Sequence, residues 1–274
     1  MKAKSLLLKI WAGLSFLLTV GVILFLFLFV FIKGFGVISW EFLTDVPRGA
    51  VIGTEGGILP AILGSLCFTL VAIIFASLLG VGGAVYQVFY ARNSRLSSAV
   101  SLVMQCMAGV PSIVLGLFGY SLLVLQFGWG KCILAGGITQ GIMILPFIEV
   151  RAEKALRETA KGPLLASYAL GVSRSYTLRK VVIPQEFPRL LSAVILGGLY
   201  ATGAAAPLIF TGAVIFAKSP QSLFDPAMAL PYHLYMLLTQ GTSADMAYGT
   251  AFVLMLLVLI ANTVATFFAW RKVK

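Results

Sequence analysis

Two apolar stretches of this 274-residue chain carry residue types suited to handling an anion without a cation. Pro111 and Ser112 interrupt a long apolar run, and a helix broken there leaves backbone N–H groups whose dipole favours negative charge. Thr202, Gly203 and Thr211, in a later run, offer hydroxyls and close backbone approach. Arg151, closing a third run, is the nearest cation to such a path. The same Gly, Ser and Thr residues also serve to pack helices closely, and Arg151 also serves as an interfacial anchor, so the residues alone leave both uses open.

Other chemistry finds little support. No loop ends in Gly-Lys-Ser or Gly-Lys-Thr, as a nucleotide site would require, and no triad or metal-ligand spacing occurs. The single histidine, His233, and Asp225 follow Pro220 in a connecting segment, read as a solvated or interfacial re-entrant helix rather than a metal or proton site. Cys67, Cys106 and Cys132 lie in or beside apolar runs and read as plain buried residues. The chain reads as non-enzymatic, with no cofactor or metal of its own.

The elements that must position these residues follow from composition. With 60% hydrophobic and 11% charged residues and a mean hydropathy of +1.02, the chain is neither a soluble enzyme, a disordered chain nor a disulfide scaffold. A spanning helix needs about 20 apolar residues. Six runs qualify: Ile10 to Ile32, Ile58 to Tyr90, Leu96 to Leu125, Cys132 to Val150, Leu190 to Ala217 and Ala247 to Trp270. The first is too long for a signal-peptide core and reads as a retained anchor. An all-α polytopic membrane protein with six transmembrane helices is expected.

Lys and Arg set the orientation. The amino terminus, the second and fourth connections and the carboxy terminus hold 16 of the 20 basic residues, among them Arg92, Arg95, Lys272 and Lys274. The other side holds Lys33, Arg48, Lys131 and Lys218. Both termini are therefore expected in the cytoplasm. The net charge of +11 is mostly this asymmetry and gives no support to nucleic acid as a partner. No Lys, Arg, Asp or Glu is expected in the middle of a span, which argues against an ion-driven secondary carrier and places any energy source outside the membrane.

The fourth connection, about residues 151–189, is amphipathic. Leu156, Leu164, Leu165, Tyr168 and Ala169 fit a helical period, Gly171 suits a left-handed helix end, and Ser173 can cap a second helix running to Ile183 with Pro184 as its stop.

At this point the sequence resembles a family. The stretch Leu165-Ala166-Ser167-Tyr168-Ala169-Leu170-Gly171, followed after nine residues by Val181-Val182-Ile183-Pro184, is similar to the cytoplasmic loop of bacterial ABC importer permeases. That loop reads Glu-Ala-Ala, three residues, Gly, nine residues, Ile-x-Leu-Pro. Gly56 to Leu66, Ala108 to Tyr120, Leu145-Pro146 with Arg151, Ala206 to Thr211 and Ala229 to Tyr235 resemble the phosphate-type, PstA-like permeases in order and spacing.

The resemblance implies a type I permease fold, with residues 1–50 as an added helix and external loop and 51–274 as the permease core. It implies import of inorganic phosphate, with Leu165 to Gly171 and Pro184 forming the helix that seats in an ATPase. The implied partners are a second permease, two ATP-binding subunits that use the ATP, an extracytoplasmic phosphate-binding protein and the lipid of a bacterial inner membrane. Two positions depart from the pattern. Leu165 replaces its glutamate, and Gly203-Ala204-Ala205-Ala206-Pro207 stands where Gly-Glu-Thr-Ala-Pro is usual. Both lose a carboxylate, which keeps another oxyanion such as sulfate or molybdate as the alternative substrate.

Overall fold

The computed structural model describes residues 2–48, 51–91, 95–159 and 161–271. An almost wholly apolar helix, α1 (Lys2–Phe35), opens it. A short helix, α2 (Trp40–Thr44), is capped by the Ser39 hydroxyl, which accepts from Phe42 N–H at 3.0 Å. A two-residue antiparallel ribbon of β1 (Pro47–Arg48) and β2 (Glu55–Gly56) follows. The chain then forms α3 (Leu59–Phe89), α4 (Arg95–Ala108) and α5 (Ser112–Gly119), which continues as a π-helical segment Tyr120–Gln126. Next come α6 (Ile133–Thr159), α7 (Lys161–Ala169) and α8 (Arg174–Thr177), the last leading into a π-helical segment Leu178–Val182. The chain closes with α9 (Ile183–Thr202), α10 (Ala206–Thr211), α11 (Leu230–Gln240) and α12 (Ala244–Arg271). Arg92, Lys272 and Lys274, counted above with the basic side, lie outside the described residues.

Among the described residues, α1, α3, α6 and α12 are long and apolar enough to cross a membrane; α4 with α5 makes a fifth span if that pair, bent by 104°, is one broken crossing. The sixth expected run is not one helix. α9 stops at Thr202, residues 203–205 form a break, α10 covers only six residues, and no helix continues to Ala217. The first turns of α9 hold Glu186, Pro188 and Arg189, leaving a short apolar remainder, and Pro207 fits the first turn of a new helix better than the interior of an old one. Six crossings remain consistent with the fold, two of them broken.

The central pair is α3 against α6. Along α3 the buried residues Gly64, Phe68, Ala72, Ala76, Gly80 and Ala84 recur every four positions, a narrow seam of mostly small side chains. Gly136, Gly137 and Gly141 of α6 lie against it; a β-carbon on Gly137 would come within 2.5 Å of Val71 Cβ. In hydrocarbon, where burial of apolar surface gives helices no net attraction, such close backbone approach is the main source of association. By contrast α1 is exposed for nearly its whole length and touches the bundle through α12, with Phe29 on Tyr248 and Phe31 on Phe252 at ring distances of 5.8 and 5.5 Å.

The ends of the bundle differ. At one end, Val88 and Phe89 of α3, Leu156 of α6, Leu178 and Val182 of the second π segment and Leu190 of α9 form a single apolar cluster. Eight of the 20 basic residues lie in the one connection, residues 151–189, that meets α3 at this end. At the other end, α11 and the loop before it cap α3, where Ser65 Oγ accepts from Leu230 N–H at 2.7 Å. Asp225 is a loop staple there. Its carboxylate accepts from Gln221 and Ser222 N–H, and its carbonyl accepts from Ile133 N–H at 3.0 Å.

His233 is not solvated as expected. α11 turns it inward, 3% exposed, with Nδ1 unpartnered. The cysteines divide rather than being uniformly buried: Cys132 is buried, Cys67 half-buried, and Cys106 exposed on the outer side of α4.

Candidate functional site

Two breaks, separated by about ninety residues of sequence, pack against one another. The first is Gly109-Val110-Pro111 between α4 and α5, and the second is Gly203-Ala204-Ala205 between α9 and α10. Val110 and Leu115 pack in one cluster with Ala201 and Ala204. Gly116 lets α5 and α10 pass closely, since a β-carbon there would lie 3.0 Å from Ala206 O. Gln140 of α6 bridges the second break, its Nε2 donating to Ala201 O at 3.0 Å and Ala204 O at 3.2 Å. Ala201 O also accepts from Ala204 N–H at 3.0 Å, so the amide adds a second donor to a carbonyl of the last turn and a first to Ala204 O in the break. Its Oε1 is buried and has no partner. Ala204, where the phosphate-type pattern has glutamate, is partly buried and has its carbonyl taken up by this amide.

The candidate pathway residues are thus separated by role. Pro111 and Gly203 are exposed at the breaks, Ser112 is half-buried, and nothing occupies the space a Gly203 side chain would fill beyond its own helix. Thr202 is committed to packing, its hydroxyl bonding Gly198 O at 2.9 Å and meeting Thr69 Oγ1 of α3 at 3.1 Å. Thr211 is buried and donates to Pro207 O at 2.7 Å, within its own helix. Arg151 stacks on Phe147 of α6 at 4.2 Å and lies about 16 Å along the helix from Gln140, too far to reach the junction. Gln140 was missed by the sequence reading; a lone amide inside the run Cys132 to Val150 was its signal.

The connection between α6 and α9 forms the second candidate region. α7 ends in a Schellman turn. Gly171 has φ +70°, Val172 N–H reaches back to Ser167 O at 3.0 Å, and the reversal frees α8 to start at Ser173, whose hydroxyl accepts from Tyr176 N–H. Leu165 and Leu170 project from it, 70% and 81% exposed, and Ala166 and Ala169 are also exposed, with Ser167 half-buried. The Tyr168 side chain lies outside the described residues.

Pro184 is not the stop that was expected. α8, the π segment and α9 run on without a break, and Ile183 N–H bonds Leu178 O five residues back. Proline at 184 cannot donate to Lys180 O and its ring would crowd that carbonyl in an α-helix; the wider π turn just before it accommodates both effects. Arg174 donates to Phe89 O and lies over the Tyr90 ring at 6.0 Å, tying the loop to the end of α3.

A third feature lies where α3 and α6 meet near the basic end of the bundle. α6 extends well past Val150, and Glu149, taken as the edge of a run, is 1% exposed, accepting from Gln87 Nε2 of α3. Gln87, itself an amide in an apolar run, was its sequence signal.

The described chain is thus a bundle of long apolar helices with two breaks packed together and an exposed helical turn at one end. The sequence matches the family described as binding-protein-dependent transport system inner membrane component over residues 88–272, and the chain belongs to that family. Among its relatives are the Probable ABC transporter permease protein YqgI of Bacillus subtilis, 31% identical over 92% of this chain and 90% of that one. The Probable phosphate transport system permease protein PstA of Methanocaldococcus jannaschii is 30% identical over 75% and 73%. Among solved structures, the inward-facing MetNI methionine ABC transporter matches with a TM-score of 0.65 at 19% identity, over 78% of this chain and 95% of that one, a likeness of fold. The chain is therefore a PstA-like permease subunit with the type I permease fold.

Proposed function

We propose that this chain is one of two permease subunits in an ATP-driven importer of inorganic phosphate, lying in a bacterial inner membrane with both termini in the cytoplasm. It forms half of the translocation path at the junction of the two broken helices. A cytoplasmic ATPase subunit seats on Leu165, Ala166, Ser167, Tyr168, Ala169, Leu170 and Gly171, and Pro184 begins the rigid helix that carries the push into the bundle. Two such ATPase subunits use the ATP, this chain binds no cofactor, and an extracytoplasmic phosphate-binding protein delivers the anion.

The observation that carries this reading is the loop. Two large apolar side chains, Leu165 and Leu170, stand exposed just before the left-handed Gly171, and the π segment that follows α8 is locked to α3, α6 and α9 by one apolar cluster. Exposed leucines on a rigid turn suit insertion into a groove, and rigid attachment lets a push there move several spans together.

Phosphate is favoured over other oxyanions by the PstA relative. The test is uptake in cells whose high-affinity phosphate route depends on this chain. Deletion is expected to abolish phosphate accumulation and spare sulfate and molybdate. Loss of sulfate or molybdate uptake with phosphate intact assigns the chain to one of those anions. Uptake by vesicles that lack any ATPase but carry an ion gradient makes it a secondary carrier.

A further inference from the structure

The two serines of α4 point to a device outside the two regions above. Ser97 and Ser101, one helical turn apart, both place Oγ 3.3 Å from Gln87 Oε1 of α3, and the same Gln87 side chain donates from Nε2 to Glu149 of α6. One amide thereby joins three helices. Its carbonyl end takes two donors and its amino end meets a carboxylate. Gln87, Ser97 and Glu149 are all buried. Glu153, one turn on, is engaged with Arg157 at 2.6 Å.

What this amide holds is the first arm of a broken span. Among the described residues of α4, Ser97 alone is buried, while Leu102 and Val103 are exposed and Met104 is only partly covered. At its far end α4 meets Gly109-Val110-Pro111, the break with the 104° bend. An arm with so little apolar cover and a hinge at one end is docked by hydrogen bonds. Bonds of this kind between membrane helices are modest and reversible.

Gln87 also sits beside the loop's attachment. Val88 and Phe89, the next two residues, pack against Leu178 and Val182, and Arg174 donates to Phe89 O.

We infer that Gln87, positioned by Glu149, is a latch that holds α4 against the α3–α6 pair, and that displacement of the cytoplasmic loop opens it and swings α4 about the Gly109–Pro111 hinge. The inference rests on the proposed coupling of that loop to an ATPase. It assigns Gln87 and Glu149 as positioning residues for transport, acting through α4 rather than on the substrate.

The test measures the arm directly. In the reconstituted full transporter, with Cys67, Cys106 and Cys132 replaced by serine, spin labels at Leu102 of α4 and Leu79 of α3 report their separation by pulsed electron resonance. Ser97→Ala with Ser101→Ala removes only the α4 side of the latch. In the resting state it is expected to move the ratio of docked to swung arm about tenfold toward the swung form, with more ATP hydrolysed per anion moved. Gln87→Met, of similar length, is expected to do the same. Glu149→Gln keeps the acceptor and is expected to leave the distances as they are.

An unchanged distance distribution in the double-serine variant overturns the latch. So does a shift in Glu149→Gln equal to that in Gln87→Met. The distances are read with and without the ATPase subunits. Failure of those subunits to bind counts against the coupling proposal, while the label separation in the permease pair alone still decides whether the latch exists.

Discussion

Gln140 has a chemical position unlike its neighbours. It spends both amide hydrogens on carbonyls at and just past the end of α9, Ala201 O and Ala204 O, and in hydrocarbon no water replaces it. Hydrogen bonds between membrane helices contribute roughly 0.6 to 2 kcal/mol each. Gln140→Leu is expected to lower the thermal midpoint in detergent by a few degrees and to depress uptake by more than the lost stability explains, because the break at Gly203 loses its brace. Equal losses in stability and uptake leave Gln140 a packing residue.

His233 makes a different prediction. It belongs to a helix of 11 residues, too short to span, and burial lowers its pKa from 6.5 to about 4. It is neutral in the fold but protonates in the unfolded chain below pH 6.5. Its contribution to stability is therefore complete above pH 6.5 and is lost progressively as the pH falls toward 4, by roughly 3 kcal/mol. Thermal unfolding from pH 7.5 to 4.5 should show that slope, and His233→Phe should flatten it.

At this scale the sequence was only partly legible. The turn-forming chemistry of Gly171 and the cap at Ser173 are local and could be read directly. Gln140, Gln87 and Glu149 take their importance from partners about sixty residues away, which no local pattern announces.

At the scale of elements, the proposed function rests on the loop α7–α8 and the broken helices. The break at Pro111 is legible in the sequence, whereas Leu190 to Ala217 reads there as one run despite Gly203 and Pro207, and the π segments are not visible in it. A π turn differs from an α turn by one residue in hydrogen-bond register, and the apolar period survives that change. Pro184 was misread as a stop for this reason.

Gly171 is the sharpest test of the loop. Open space surrounds the position of a β-carbon there, so a substitution meets no clash; the cost is the backbone alone at φ +70°. Gly171→Val should cost roughly 1–2 kcal/mol of turn stability. The protein is expected to insert and pair normally while transport falls and the ATPase subunit is recovered poorly in detergent pull-down. Normal uptake and recovery remove the loop from the coupling role. Leu165→Glu separates two histories of the same contact. If the ATPase groove still accepts the family's carboxylate, activity holds or rises. If the groove has adapted to a leucine 70% exposed in the free chain, an unpaired charge weakens docking.

For the whole molecule, sidedness is read from charge, while packing shows which connections share an end of the bundle. Basic residues favour one side by 16 to 4, whereas the acidic residues divide nearly evenly, Glu149, Glu153, Glu158 and Glu186 on that side and Glu41, Asp45, Glu55, Asp225 and Asp245 on the other. The asymmetry therefore lies in Lys and Arg specifically, the residues that translocate poorly. Packing places the C-terminal ends of α3 and α6, the π segment after α8 and the start of α9 in one cluster, so the fourth connection shares an end of the bundle with Arg95 at the start of α4. A cysteine at Ser175, exposed in α8 and clear of the apolar cluster, reports that side. In a chain with the native cysteines replaced, a membrane-impermeant maleimide should label it in inside-out vesicles and leave it untouched in intact cells. Labelling in intact cells would invert the bundle, place the exposed leucines where no ATPase can reach them, and end the coupling proposal whatever the substrate.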